Sequence, residues 1–213
     1  MKRVLFILTT CLLILSCGNN DQAGMDNHSA HGTENHAEAG TDTSTSMMAL
    51  MHKMDRDMQQ VSLTNDPDID FATMMRVHHQ SAIEMINLEL AKGSDTAVKR
   101  MAEKMKVEQM REIESFDRFL QTATKKEASE RFATEFKGTI KAMDHSNHAA
   151  GNSIDSEFIN MMVPHHEGAI DMAQVYLKFG KNEELLQIAR QIIQSQAEEV
   201  VLLKSLNKDG HQH

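Results

Sequence analysis

Two clusters of soft donors set the chemistry of this chain: Met74-Met75 followed by His78-His79, and Met161-Met162 followed by His165-His166. Side chains four residues apart meet on a helix surface, so each cluster offers two methionine–histidine pairs. Thioether and imidazole without thiolate favour Cu(I), with Ag(I) as its chemical mimic, whereas calcium and magnesium want oxygen and structural zinc usually wants cysteine. Copper is therefore the expected ion, Cu(I) first, with Cu(II) a further ion for the His-rich ends. A lone buried histidine is usually a hydrogen-bonded core residue, and a methionine stripe is usually flexible core filler. Two adjacent imidazoles are costly to bury without partners, and the pair occurs twice, which weighs against that plainer reading. A di-iron site of the Glu-x-x-His kind is excluded, because no carboxylate stands three residues before any of the four histidines.

The clusters belong to an internal repeat. Residues 71–85 align without gaps on residues 158–172, and the same offset carries Gly93 onto Gly180, Gln109 onto Gln196 and Glu112 onto Glu199. Each copy reads as two helices. Asp66-Pro67 suits a helix start and Gly93 a helix end, with a second helix from about Asp95 to Thr122. Copy two repeats this from about Ser153 to Gly180 and from Asn182 to Asn207. Two hairpins joined by a long connection predict an all-α, ferritin-like four-helix bundle with a crossover. The expected layout is a bundle over 63–208, with repeat one at 66–122, crossover at 123–152 and repeat two at 153–207.

Helical periodicity puts Phe71, Met74, His78 and Met85 on one stripe, and Phe158, Met161, His165 and Met172 on its counterpart. Because the aromatic and thioether groups must be buried, His78 and His165 are expected to face the core. A neighbouring stripe carries Met75 and His79, matched by Met162 and His166. On the second helices, Glu112 and Glu199 occupy the same core stripe as Met101 and Ile188. They are expected to accept hydrogen bonds from the histidines and fix their tautomers, unless the bundle end is wet there. The segment 47–62 places Met47, Met51, Met54 and Met58 on one stripe, flanked by Met48 and His52. It reads either as a helix packed on the bundle or as an accessory soft-metal strip.

Composition narrows the class further. The 213 residues include 17 Met and 12 His but no Trp, one Tyr and two Pro, and the net charge is -9. Few aromatics and prolines argue against a β-sandwich or barrel. The acidic balance lacks the basic footprint that nucleic-acid binding needs, so no nucleic-acid partner is expected. Residues 1–16 have the layout of an export signal: Lys2 and Arg3, then an apolar run too short to span a bilayer stably. The run Leu-Ile-Leu-Ser-Cys resembles a bacterial lipobox, making Cys17 a lipid anchor to the membrane and leaving the mature chain without a thiol. Residues 17–46 are too poor in large apolar groups to fold and form a tether carrying His28, His31 and His36. The tail 209–213 ends in His211 and His213.

The pattern Met-x-x-His-His-x-x-Ala-Ile-(Glu/Asp)-Met, followed by Gln-x-x-Glu-(Ile/Val), resembles the bacterial secreted family known as domain of unknown function 305, which includes CopM-like copper-binding proteins of the periplasm. The resemblance spans about Ile69 to Leu206. It implies a ferritin-like bundle of two helical hairpins and, for copper-linked members, metal sequestration and resistance. Copy one departs at Val77, where copy two has Pro164; a proline there is expected to kink the helix and free a carbonyl beside His165 and His166. The expectation is a non-enzymatic envelope lipoprotein, facing the periplasm or on the outer membrane, that buffers copper or hands it to copper-accepting envelope proteins. A ferritin-like metal oxidase and a metal-free Met-cored scaffold are the competing readings.

Overall fold

The computed structural model describes residues 46–126, 128–143 and 151–209. The signal segment, Cys17 and the histidines of the tether and tail lie outside the described residues. Six helices follow in order: α1 (Met47–Gln60), α2 (Pro67–Lys92), α3 (Thr96–Thr122), α4 (Glu130–Ala142), α5 (Ile154–Phe179) and α6 (Glu183–Asp209). None of them is long and apolar enough to cross a membrane.

The helix starts are chemically specified. The Ser46 hydroxyl accepts from Ala49 N–H at the head of α1, Asp66 caps α2, Asp95 caps α3, and Ser153 with Ser156 makes a capping box on α5. Asn182 accepts from Leu185 N–H at the head of α6. Gly93 and Gly180 end α2 and α5 at φ of -65° and -61°, ordinary right-handed values. Their need for glycine is close approach rather than left-handed backbone. The Glu89 carboxylate lies where a Cβ on Gly93 would be, and the Tyr176 ring where a Cβ on Gly180 would be.

α2 pairs with α3 and α5 with α6, and α2 packs on α5 along the centre of the molecule. α1 covers α2 and part of α5, while α4 covers α5. The two central helices are thus enclosed on several sides, which is why two adjoining stripes of α2 and α5 are buried rather than the single stripe of a surface helix. The two repeats are clasped end to end. Asp68, in the first turn of α2, accepts from the Tyr176 hydroxyl at 2.8 Å and from the Lys181 and Asn182 N–H groups of the α5–α6 turn. Asp155, its counterpart on α5, accepts from Ser94 N–H, the Ser94 hydroxyl and Asp95 N–H in the α2–α3 turn.

Met47, Met51, Met54 and Met58 are buried in the common core, each burial contributing roughly 1.5–3 kcal/mol before chain entropy. Met48 is half-buried and His52 is exposed. The segment therefore packs as a helix, and the single strip of six donors does not assemble, because helical periodicity turns His52 away from the buried thioethers. α5 continues from Ile154 to Phe179 with Pro164 inside it, where the matched position of α2 has Val77.

Candidate metal centre

The four motif histidines are fully buried. Adjacent residues on a helix point about 100° apart, so each His-His pair must diverge. His78 and His165 meet at the α2–α5 contact, ring centroids 3.7 Å apart with planes tilted by 36°. His165 Nε2–H donates to the His78 carbonyl oxygen at 3.2 Å, which leaves the His165 lone pair on Nδ1. His79 and His166 turn outward, each into its own hairpin. His79 Nε2–H donates to Glu112 on α3 at 2.7 Å, and His166 Nε2–H donates to Glu199 on α6 at 2.9 Å. In each case the carboxylate fixes the tautomer that carries its lone pair on Nδ1, the arrangement by which outer-shell carboxylates prepare imidazole for a metal.

The two outer pairs are not equivalent. Glu199 is almost wholly buried, with the Lys104 ammonium 3.8 Å away, whereas Glu112 keeps 16% of its side chain exposed. Between them, burial raises the Glu108 pKa, and the neighbouring Glu199 charge raises it further against Lys104.

All six motif methionines, Met74, Met75, Met85, Met161, Met162 and Met172, are buried, with Met74, Met75, Met161 and Met162 one turn before the histidines and Met85 and Met172 two turns after His78 and His165. Among the described residues no group of three or more His, Cys, Asp or Glu could hold a metal ion. Thioether sulfur and imidazole are the donors these helices bring to the same core, a set that suits a soft monovalent ion of low coordination number. Nδ1 of His79 and of His166 is buried without a hydrogen-bond partner among the described residues, which fits a lone pair kept for such an ion.

Gln109 and Gln196, which open the Gln-x-x-Glu motif but have no role assigned from the sequence, are buried at matched positions, and both amides lack hydrogen-bond partners among the described residues. Their alignment across the repeat was the available signal. Met143, just after α4, presses its sulfur against Gly168 on α5, close to His78. Lying outside both repeats, it carried no sequence signal.

The chain matches the family described as Domain of unknown function (DUF305) over residues 19–120 and again over 68–207. It belongs to the DUF305 family. No curated protein matches it. Among solved structures, this DUF305 chain resembles CopM in its Cu(II)-bound form, with 29% identity, 68% of this chain and 97% of that one covered, and a TM-score of 0.55. It resembles the Cu(I)-bound form of CopM at 26% identity over 68% and 97% of the two chains, with a TM-score of 0.53. A putative secreted DUF305 protein from Streptomyces coelicolor, 22% identical over 71% and 100% of the chains with a TM-score of 0.55, shares the fold.

Proposed function

We propose that this DUF305 chain is a copper-binding envelope lipoprotein, held to the membrane through Cys17, that sequesters, buffers or passes on copper in metal tolerance. The observation that carries the reading is the meeting of His78 and His165 across the repeat contact, with Met74 and Met161 one turn before them. The CopM structures bound to Cu(I) and Cu(II) support copper as the cargo. Ligands would come from His78, His79, His165 and His166 with Met74, Met75, Met161 and Met162, and from Met85 and Met172 further along the same stripes. Cu(I) is the preferred state, since thioether is a soft donor. Complete burial of all four imidazoles favours holding an ion over turning it over, so the chain is read as a binder rather than an enzyme.

Cu(I) competition against a chromophoric chelator, on anaerobically purified protein, tests this. The His78→Ala/His165→Ala double variant, with helicity verified by circular dichroism, should bind Cu(I) at least about 100-fold more weakly, beyond the usual loss from an outer-shell change. Wild type that retains no copper above background overturns the proposal, and oxidation of added Cu(I) or Fe(II) in air would favour a ferritin-like oxidase.

The carboxylates make a graded prediction. Glu199→Gln should weaken Cu(I) binding by about 10-fold or more, and Glu112→Gln by less, because water reaches Glu112 and can replace part of its function. Equal affinities for wild type and Glu199→Gln in the same titration would remove these carboxylates from the site.

A further inference from the structure

We propose that Met58, Met74 and Met143 form a second soft-metal site, a methionine-lined pocket that takes Cu(I) or Ag(I) next to the buried histidines. The inference rests on the copper reading above and adds to it a site that joins Met74 of the first motif to two methionines outside the motifs. An open cavity of about 730 Å³ lies where α1, α2 and the end of α4 come together, and all three methionines line it, with Asp55, Lys137 and Lys141 as its charged residues. Met58 comes from α1, Met74 from α2 and Met143 from the segment leaving α4, so three separate elements each contribute one methionine to the lining of the same cavity. Met58 and Met74 are almost wholly buried in the cavity wall, and Met143 is partly exposed at its edge. Three neutral sulfurs suit a soft monovalent cation and offer little to Zn(II), Ca(II) or Mg(II).

The pocket adjoins the histidine pair. Met74 stands one helical turn before His78 on the same stripe of α2. The Met143 sulfur rests on Gly168 of α5, and His78 Nε2 lies 3.8 Å from where a Cβ on Gly168 would stand. Any side chain at this position would displace the Met143 thioether. The matched residue of the other repeat is Ser81, which carries a side chain where Gly168 has none, so the two repeats differ at this point. A cation held by Met74 and Met143 would lie beside the imidazoles, giving them a route to solvent that their own burial denies.

The test uses full-length protein carrying 13C-methyl methionine, titrated with Ag(I) as a redox-inert probe and followed by methyl and histidine ring resonances. The Met58, Met74 and Met143 methyls should shift together within the first equivalents. In Met58→Leu/Met143→Leu, Ag(I) capacity should fall by about one equivalent per chain while the His78 and His165 rings still respond. If Ag(I) moves the histidine rings and leaves the Met58 and Met143 methyls in place, the pocket is overturned while the copper reading stands. Absence of any retained Ag(I) or Cu(I), with all resonances unmoved, overturns both.

Discussion

Replacing Asp155 with alanine will lower the unfolding free energy by about 2 kcal/mol, because it removes a buried carboxylate that accepts three hydrogen bonds at the junction of the two repeats. The carboxylate accepts Ser94 N–H at 2.9 Å, the Ser94 hydroxyl at 2.9 Å and Asp95 N–H at 2.8 Å. Burial works to raise its pKa, but the Asp95 and Ser94 donors and the Glu89 carboxyl outweigh burial and hold it below the ordinary aspartate value. A carboxylate with a depressed pKa stabilises the fold above its unfolded value and loses that contribution as pH falls through its folded value. Asp155→Ala should therefore lose most at neutral pH and approach wild type in strong acid. Urea unfolding at pH 7 measures the loss, with Asp171→Ala as an exposed-site control expected to stay within about 0.5 kcal/mol of wild type. A decrease at Asp155 no larger than the control's would remove the clasp from the account of stability.

The second large effect concerns Glu89, which stands in copy one where copy two has Tyr176. Tyr176 gives its hydroxyl proton to Asp68, and burial raises its pKa enough to keep it a donor. Glu89 stands beside Asp155 in the equivalent place. Burial pushes its pKa up to about 8, and the Asp155 charge adds to the rise against the opposing pull of Lys99, with Asp95 a smaller contributor. Near neutrality Glu89 therefore keeps its proton and faces the Asp155 carboxylate as a neutral acid, the protonation that Tyr176 has by nature. Since the folded pKa lies above the ordinary glutamate value, the unfolded chain releases this proton first. Stability should then fall as pH rises from about 4.5 to about 8, by roughly 2 kcal/mol. Glu89→Gln keeps a donor toward Asp155 and has no proton to lose, so its stability should be nearly flat over that window and exceed that of wild type at pH 8.5. Thermal melts of the two proteins at pH 5.5 and 8.5 decide the matter, and parallel curves would show that Glu89 titrates normally.

The sequence carried a large part of the fold on its own. The all-helical class, the two hairpins and their starts at Asp66, Asp95, Ser153 and Asn182 follow from rules that act over one or two turns: capping chemistry and the 3.6-residue period. The gap-free repeat made it legible that whatever surrounds His78 has a counterpart around His165. Local rules also placed Glu112 and Glu199 on the faces from which they reach His79 and His166, because the spacing within each hairpin is the same.

What remained hidden depends on contacts between elements far apart in the chain. The period showed that neighbouring histidines diverge by about 100°, but not which of each pair would meet its counterpart across the α2–α5 contact. That is set by how the two hairpins cross, and it selects His78 with His165. Gly93 and Gly180 read as ordinary helix ends, yet their φ values are unstrained and the need for glycine comes from Glu89 and Tyr176 folding over them. The methionines of α1 gave the same stripe whether they bind or pack; only docking on α2 and α5 showed that the stripe is buried and that His52 is not part of it. Local patterns picked out Met58 and Met74 separately but not their sharing of a cavity with Met143, because the three residues come from separate elements and two lie outside the repeat. By itself the sequence determined which donors the chain carries and on which helical faces they stand, since these are short-range properties of a helix. Only the tertiary structure decided which donors share a space, since that depends on the packing of whole helices against one another.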